Sequence, residues 1–424
     1  MDHPDRQHLP PRLPEDLDVL VLSHLRWDFV FQRPQHLLSR CARTRRVFFC
    51  EEPVVHDDPA LTPYLEVSDR GPGLWVCVPH LPVGLSFADA EAVQGELLDG
   101  LRAERALRRH IAWYYSPMPV GFTRHLRPDV TVYDCMDELT GFSGASPLLR
   151  ERERELFARA NLVFTGGHSL WEAKREQHPC VYAFPSSIDA AHFARARAPA
   201  KKQLFESSSS IADPIDPADQ ADIPHPRLGY FGVIDERMDL TLLAGVADAR
   251  PDWHIVMLGP VVKIDPGDLP RRDNIHYLGG KAYADLPAYI ACWDVALMPF
   301  AHNASTRFIS PTKTPEYLAA GKPVVSTSIR DVVQPYGDLG LVAIADELDD
   351  FVTAIDLQLQ QTAQGGEDRA RWLAEVDAFL AGNSWDLTWE RMQRLIAGAL
   401  LGPLARLAPG ISTTTKESPS CSTF

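Results

Sequence analysis

Short apolar runs alternate with longer amphipathic stretches along most of this 424-residue chain, and this alternation narrows the folds open to it. The strand-length runs of the first half lie at 17–23, 46–53, 74–80, 111–116, 130–135 and 161–166. Stretches between them, such as 34–43 and 90–110, have helical spacing. Continuous apolar runs predict strands buried on both faces, and their alternation with helices predicts a parallel α/β sheet.

The segment at 194–226 interrupts this alternation. It is rich in Ser, Pro, Asp and Ala and lacks apolar periodicity, so we expect a linker that is disordered in part. The alternation then restarts with runs at 227–234, 253–260, 274–280, 293–300 and 322–328. The sequence therefore predicts two Rossmann-like α/β domains, 16–193 and 227–383, which bind ligands in a cleft at the carboxyl ends of their strands.

The ends of the chain differ from these domains in composition. Residues 1–15 are expected to form a flexible leader, and the Ser/Thr/Pro-rich segment 408–424 a disordered tail. A helix is expected over 384–407. One face of this helix is apolar and consists of Trp385, Trp389, Met392 and Ile396.

Charge and cysteine usage exclude several classes of protein. The formal net charge of −15 argues against a nucleic-acid partner, because phosphate binding needs a basic face. The apolar run Leu17–Leu22 is too short to span a bilayer and follows acidic residues, so we expect no secretion signal and a cytoplasmic location. The seven cysteines are scattered, which predicts neither a zinc site nor disulfides.

The most informative segment is FISPTKTPEYLAAGKPVVS at 308–326, where Gly-Lys-Pro marks the end of a helix. Two helix starts are open: Ser310 followed by Pro311, or Thr314 followed by Pro315. Either start leaves free backbone amides near the first turn, and such amides favour a phosphate group.

Two charged residues lie in the same turn. The Glu316 carboxylate can accept paired hydrogen bonds from a ribose diol, and Lys313, three residues earlier, can reach the same side. Ser310, Pro311 and Thr312 would then also contact the ligand. The other interpretation is a capped surface helix with an ion pair between Lys313 and Glu316.

This segment resembles the signature of retaining GT-B glycosyltransferases of the "glycosyl transferases group 1" type, similar to family four. In that signature two Glu residues are separated by seven positions, and EYLAAG and GKPVV follow. Glu316 matches the second Glu, whereas the first position is Phe308, so the motif is incomplete. The Ser-Pro-x-Lys run of many exopolysaccharide and capsule transferases is matched by Ser310, Pro311 and Lys313.

The resemblance covers nearly the whole chain except the linker and both ends. SHLRWDFVFQRPQHLL at 23–38 resembles a subgroup that includes teichuronic-acid-type transferases, and 153–193 is similar to the family's interdomain segment. The stretch at 274–300 is similar to the one whose backbone holds the nucleotide base. The similarity of this stretch implies donor contacts from Gly279, Gly280 and Lys281.

The family implies transfer of a sugar, with retention, from a nucleotide-diphosphate sugar to an acceptor hydroxyl. The acceptor would be a carbohydrate or a lipid-linked molecule, and the pathway bacterial cell-surface polysaccharide or glycolipid synthesis. The resemblance also implies catalysis without a metal or cofactor, and a terminal helix at 384–407 that crosses back to the first domain.

The loop GYFGVIDERMD at 229–239 follows the first strand of the second domain. Relatives place an Arg directly after the Gly and a Lys a few residues later, both toward the donor diphosphate. Here Val233 follows Gly232, and Arg237 alone matches the second position. Arg237 either clamps phosphate oxygens or pairs with a neighbouring carboxylate, Asp235, Glu236 or Asp239.

Polar residues also follow strands of the first domain. Gln32 and Arg33 lie in the loop after the first strand, where Arg33 either faces the diphosphate or pairs with Asp28. Asp137 follows the strand at 130–135, where it either assists in the acceptor subsite or caps the next helix.

Two further patterns are weaker. The Asp-Leu-Asp sequence at 16–18 precedes a strand rather than following one, so we predict no metal site there. The basic helical stretch at 97–114 has two interpretations. It either contacts the inner face of the cell membrane or is a packed helix with a solvated face.

Two other functions remain open at this point. A nucleotide-sugar 2-epimerase on the same fold would turn over donor without an acceptor. A non-catalytic sugar-nucleotide-binding relative is the other alternative, and Phe308 in place of a carboxylate is the residue that raises it.

Overall fold

The computed structural model describes residues 13, 14, 16–197 and 217–402. Within them the chain forms two α/β domains, each built on its own mainly parallel sheet, as the alternating pattern predicts. The predicted leader, linker and tail lie largely outside the described residues. Leu13 is an exception, because it is buried in the core of the first domain.

The first domain combines one mainly parallel sheet with the helices that cover it. The strands are β1 (Asp18–Leu22), β2 (Val47–Cys50), β3 (Val54–His56), β4 (Tyr64–Asp69), β5 (Leu74–Pro82), β6 (His110–Tyr114), β7 (Val130–Cys135), β8 (Leu162–Thr165) and β9 (Val181–Ala183). The helices are α1 (Arg33–Cys41), α2 (Phe87–Glu104), α3 (Val120–Thr123), α4 (Leu149–Arg159) and α5 (His168–Lys174). The strand order is β3-β5-β2-β1-β6-β7-β8-β9, with β4 antiparallel to β5.

The second domain combines one parallel sheet with helices that continue nearly to the end of the described residues. The strands are β10 (Arg227–Phe231), β11 (His254–Leu258), β12 (Ile275–Gly279), β13 (Val295–Met298), β14 (Val324–Ser326) and β15 (Ala343–Ile344). The helices are α6 (Ala190–Ala194), α7 (Leu240–Ala249), α8 (Leu286–Ala291), α9 (Lys313–Ala319), α10 (Arg330–Val332), α11 (Leu348–Gln364), α12 (Gly366–Leu380) and α13 (Trp385–Leu400). The order β12-β11-β10-β13-β14-β15 is parallel throughout.

Both faces of each sheet are buried. Along β1, Val19 and Val21 belong to one apolar cluster and Leu20 and Leu22 to another. Successive strand residues point to opposite faces, so this division places a helical layer on each side of the sheet. Burial of both faces explains why the sequences of the central strands are unbroken apolar runs.

Helix α13 packs on the first domain, which confirms the predicted crossing. Its apolar face is buried in the first domain's core together with Trp113 and Phe164. The Trp385 ring stacks on His36 of α1 with ring centroids 4.6 Å apart. Asp386 in the first turn of α13 pairs with Arg40 of α1.

The chain enters the second domain earlier than the predicted boundary at residue 193. Ile188, Phe193 and Ala196 belong to the second domain's core, whereas Phe184 belongs to the first. The reason is that α6 carries Phe193, which is fully buried among residues such as Phe231 and Trp293. The crossing therefore lies between residues 184 and 188.

The basic stretch at 97–114 is not one helix. Helix α2 ends at Glu104, and Ala106 adopts a positive φ of 50° before β6 begins. Three arginines of the stretch form ion pairs with carboxylates: Arg102, Arg105 and Arg109. Its apolar side chains are buried in the domain core. This geometry favours the packed, solvated interpretation over a membrane contact.

Candidate functional site

A cavity of about 640 Å³ lies between the two domains at the carboxyl ends of their strands. Its first-domain wall comes from the loop after β1 and from Met136 and Asp137 after β7. Its second-domain wall comes from the loops after β10, β11 and β12 and from the start of α9. Ligand cavities commonly have this size and place.

Most of the predicted site residues line this cavity. They are Gln32, Arg33, Asp137, Gly232, Arg237, Gly280, Lys281, Ser310, Pro311, Thr312, Lys313 and Glu316. Gly279 does not line it, because its carbonyl accepts a hydrogen bond from Gly259 N within the sheet. Gly279 is the last residue of β12, and its contact with the donor stays a prediction.

Lys313 lies against the backbone of the loop after β10. Gly232 adopts a φ of +130°, and a Cβ at this position would overlap the end of the Lys313 side chain. Glycine is thus needed here both for its backbone conformation and for the space. Because Gly232 directly follows β10 and has no side chain, the Lys313 side chain can extend across it to the cavity.

The Lys313 ammonium has no ion-pair or hydrogen-bond partner among the described residues. Its Nζ lies 5.3 Å from the ring centroid of Tyr230 and 5.9 Å from that of Phe300. Burial and the positive charge of Arg237 lower its pKa to about 8, against the opposing effect of Glu316. A half-buried cation without a partner at a cavity wall is a site for an anion.

Glu316 is buried in the first turn of α9, with a relative exposure of 6%. Its Oε2 atom has no hydrogen-bond partner in the described structure. Burial raises the pKa of its carboxyl to about 8, although Lys313 and Thr312 favour the charged form. A buried acceptor atom without a partner is costly unless a ligand supplies the hydrogen bond.

Helix α9 begins at Lys313, with Thr312 before it, so neither predicted helix start is correct. Pro315 lies at the third helical position, where a missing N–H breaks no intrahelical hydrogen bond. The Ser310 carbonyl accepts a hydrogen bond of 2.9 Å from Ser186 Oγ of the first domain. Ser310 therefore belongs to an interdomain contact rather than to the helix.

Arg237 pairs with Asp235, as one of the two sequence interpretations predicts. Its Nε lies 2.9 Å from Asp235 Oδ1 and its Nη2 lies 2.7 Å from Asp235 Oδ2. These bonds fix the guanidinium at the cavity wall, and Nη1 has no protein acceptor within the described ranges. Burial opposes the charge of Arg237, but Asp235 and Asp137 raise its pKa. The pairing with Asp235 thus leaves one edge of the guanidinium for a ligand.

Asp137 does not cap the helix that follows it. The capping residue is Glu138, whose carboxylate accepts hydrogen bonds from Thr140. Asp137 instead lines the cavity, with no side-chain hydrogen bond among the described residues. Burial raises the pKa of its carboxyl, opposed by the charges of Arg237 and Arg33.

Arg33 pairs with Asp134 and not with Asp28. It is buried, with Nη2 2.8 Å from Asp134 Oδ1 and Nη1 2.7 Å from the Phe184 carbonyl oxygen. Asp28 pairs with Arg70 instead. Arg33 therefore holds the loop after β1 to β7, and its contact with a diphosphate stays a prediction. Gln32 stays at the cavity wall, where its backbone N–H donates to Gln35.

Lys281 also has a protein partner. Its Nζ pairs with Asp219, although the residue lines the cavity. Close by, Tyr283 stacks on Phe31 of the first domain with centroids 4.6 Å apart, and both rings line the cavity. Sequence reasoning missed these aromatic residues. Tyr283 lies two positions after Lys281 in a segment assigned only to backbone contacts.

Phe308, which stands where relatives carry the first Glu, does not line the cavity. It packs against an apolar cluster of the first domain. The Arg307 guanidinium lies 5.1 Å from its ring centroid. In this chain the position therefore contributes to the contact between domains.

Asp331 joins the two domains at the edge of the cavity. It is buried, and its carboxylate accepts hydrogen bonds of 2.8 and 2.9 Å from the backbone N–H groups of His168 and Ser169 at the start of α5. A Cβ on Gly167 would overlap this carboxylate, so the glycine permits the contact. Sequence reasoning did not identify Asp331.

We expect Asp331→Ala to leave the backbone amides of His168 and Ser169 without this acceptor and to lower the free energy of unfolding by about 1–3 kcal/mol. Small-angle X-ray scattering should show a larger radius of gyration as the domains separate. Arg330→Ala is the matched control, because it breaks only the exposed pair with Glu172 and should cost at most about 1 kcal/mol. Equal effects of both changes would show that the Asp331 carboxylate does not hold the two domains together.

The Asp-Leu-Asp sequence at 16–18 has its carboxylates engaged. Asp16 pairs with Arg109, and Asp18 pairs with Arg46. In the part of the chain that the structure describes, no group of three or more His, Cys, Asp or Glu residues is arranged to hold a metal ion.

The second domain matches a known protein family. Residues 225–361 match the family model described as "Glycosyl transferases group 1". A Bacillus subtilis (strain 168) protein, named as the teichuronic acid biosynthesis glycosyltransferase TuaH, is 26% identical over 253 residues. That match covers 55% of this chain and 59% of the relative, which is less than two thirds of the relative's length. The predicted resemblance to this family and subgroup is confirmed.

Solved structures confirm the GT-B fold. Sucrose-phosphate synthase from Thermosynechococcus elongatus superposes with a TM-score of 0.62 and 14% identity, over 91% of this chain and 99% of that chain. Anabaena HepE in complex with UDP superposes with a TM-score of 0.57 and 13% identity, over 90% of this chain and 100% of that chain. At these identities the likeness establishes the fold alone.

Proposed function

We propose that this protein is a glycosyltransferase that moves a sugar from a nucleoside-diphosphate sugar to an acceptor hydroxyl. The observation that carries the proposal is the presence, in one interdomain cavity, of the Lys313 ammonium and the Glu316 Oε2 atom, neither of which has a hydrogen-bond or ion-pair partner among the described residues. A diphosphate complements the first and a ribose diol the second. A nucleoside-diphosphate sugar contains both groups a few bonds apart.

In the proposed mechanism, Lys313 and Arg237 bind the diphosphate and stabilise the charge that grows on it as the glycosidic bond breaks. The acceptor hydroxyl attacks the oxocarbenium-like anomeric carbon, and retention is proposed from the family resemblance. Asp137, on the opposite wall, hydrogen-bonds the attacking hydroxyl or a hydroxyl of the acceptor. Its place across the cavity from Lys313 supports this assignment.

The biological setting is proposed from the relatives. TuaH carries a name from teichuronic acid biosynthesis, which supports a role in bacterial cell-surface polysaccharide or glycolipid synthesis. We propose a cytoplasmic location. None of the helices in the described ranges has the length and apolar character needed to cross a bilayer.

The proposal is tested with a panel of UDP-, ADP-, GDP- and dTDP-sugars. We expect one nucleoside diphosphate to bind in calorimetry and its sugar derivatives to release it slowly to water, and faster with an acceptor. Failure of every nucleotide to bind would refute the proposal. Appearance of an epimeric donor without an acceptor would favour an epimerase, and binding without release a non-catalytic relative.

Turnover is expected to persist in excess EDTA. The cation charge that the leaving diphosphate needs is proposed to come from Lys313 and Arg237, with no cofactor. The measurement is donor hydrolysis before and after chelation, with Mg²⁺ or Mn²⁺ added back. Loss of turnover that either ion restores would show that the diphosphate is held through a metal.

A further inference from the structure

Two buried polar atoms at the wall of the interdomain cavity have no hydrogen-bond partner among the described residues. They are Oε2 of Glu316 and the hydroxyl oxygen of Tyr283. The other buried side-chain atoms without a partner in the described ranges belong to residues that do not line this cavity. Because each such atom is costly to bury, the two together indicate a ligand that bonds both.

The Tyr283 ring presents only its edge to the cavity. Phe31 of the first domain stacks on it with ring centroids 4.6 Å apart, and His192 of α6 stacks on it with centroids 4.4 Å apart. Phe31 and His192 have no ring contact with each other in the described structure, so they cover opposite faces. A nucleotide base therefore cannot stack on Tyr283. The group that remains for a ligand is the hydroxyl.

The Tyr283 hydroxyl lies within electrostatic range of the Glu316 carboxylate. Burial, followed by the charge of Glu316, raises the pKa of the Tyr283 phenol. Asp189 and Arg40 have smaller effects on the same group. The phenol therefore keeps its proton at physiological pH and can both donate and accept a hydrogen bond. The loop after β12 and the first turn of α9 thus place a hydroxyl and a carboxylate at one wall.

Glu316 by itself is an incomplete site for a ribose diol. Thr312 hydrogen-bonds its carboxyl group, and Oε2 is the oxygen that remains without a partner. A vicinal diol has two hydroxyl groups, and each loses water when it is buried. A single oxygen bonds one of these hydroxyls with good geometry, so the second needs another partner. The Tyr283 hydroxyl is the other free polar atom at that wall.

We propose that Tyr283 is a ribose-binding residue: its hydroxyl bonds one hydroxyl of the diol while Glu316 bonds the other, so the site selects ribonucleotides over deoxyribonucleotides. This inference rests on the proposed function and narrows its substrate class to ribonucleoside-diphosphate sugars. A deoxyribonucleotide leaves one of the two buried atoms without a partner, and a site that hydrogen-bonds a substrate hydroxyl rejects analogues that lack it. The stacking by Phe31 and His192 holds the ring in place before the ligand binds.

The test is calorimetry on the full chain with UDP, ADP and GDP, each beside its 2′-deoxy and 3′-deoxy analogues. We expect the wild type to bind the ribonucleotide about tenfold more tightly or better than either analogue. Tyr283→Phe removes only the hydroxyl oxygen and keeps the stacked ring. It should lose the preference over one analogue and keep that over the other. Glu316→Gln should weaken the preference that Tyr283→Phe keeps.

Tyr277→Phe is the matched control, because the Tyr277 hydroxyl donates to the Pro270 carbonyl oxygen at 3.1 Å and the residue does not line the cavity. It should keep both preferences, and a thermal melt of each variant checks folding. Equal binding of the ribonucleotide and both analogues by the wild type would overturn the inference. So would a Tyr283→Phe variant that keeps both preferences or loses both, or a Tyr277→Phe variant that loses either.

The outcomes separate this inference from the proposed function. If dTDP binds and no ribonucleotide does, the proposed function stands and the selection for ribose is wrong. Absence of binding by every nucleoside diphosphate, dTDP included, would refute the proposed function instead.

Discussion

Lys313→Met is expected to lower kcat by on the order of 10²–10³, the range seen when one preorganised group that stabilises transition-state charge is lost. The methionine keeps an unbranched side chain of similar shape, one atom shorter, and removes the ammonium. Because the interaction strengthens as the diphosphate leaves, kcat should fall more than the donor KM rises. Steady-state donor hydrolysis measures both constants.

The structure gives a physical reason for the size of this effect. The Lys313 ammonium has no protein partner in the described ranges, and burial lowers its pKa to about 8. Its charge is therefore poorly solvated before an anion binds. Little of the interaction energy with that anion is lost to breaking a protein ion pair. Arg237 differs, because Asp235 already neutralises part of its charge.

An exposed arginine nearby provides the control. Arg307 lies on the same approach to α9 but is exposed and does not line the cavity, so Arg307→Met should change kcat less than about twofold. If Lys313→Met retains wild-type kcat, or if both variants lose activity equally, Lys313 does not act on the leaving diphosphate. A thermal melt checks that folding is kept.

The central strands of both sheets could be predicted because they are buried on both faces. Strand β4 was missed since its residues alternate between half-buried and exposed, and it pairs antiparallel at the side of β5. Strands β9 and β15 were missed since they span only three and two residues. Short or half-exposed strands carry too few apolar residues to be distinguished from loops.

The site was predictable where its residues are close in sequence. Lys313 and Glu316 share one helical turn, so their spacing alone places both at one wall. Arg33 illustrates the opposite case, because its partner Asp134 is 101 positions away and on another strand. Asp331 and Tyr283 were missed for the same reason: each gains its role from a contact with the other domain.

Glu316→Gln is expected to weaken nucleoside diphosphate binding by on the order of 10–100-fold, which corresponds to the loss of about 1.5–3 kcal/mol for hydrogen bonds to a charged acceptor. The amide keeps the size of the side chain and one acceptor oxygen. Wild-type binding at neutral pH should also release protons, because the pKa of Glu316 is raised to about 8 and the ribose hydroxyls favour its charged form. Calorimetry in buffers of different ionisation enthalpy measures both quantities, and Glu316→Gln should lack the proton release.

Stability distinguishes this role from a structural one. Between its ordinary pKa of 4.5 and about 8, Glu316 keeps its proton in the folded chain and loses it in the unfolded chain. The unfolding free energy of the wild type should therefore fall, relative to Glu316→Gln, as the pH rises through this window. The variant should melt no earlier than the wild type at pH values near 8. An earlier melt with unchanged nucleotide binding would show that Glu316 stabilises helix α9 and does not bind the donor.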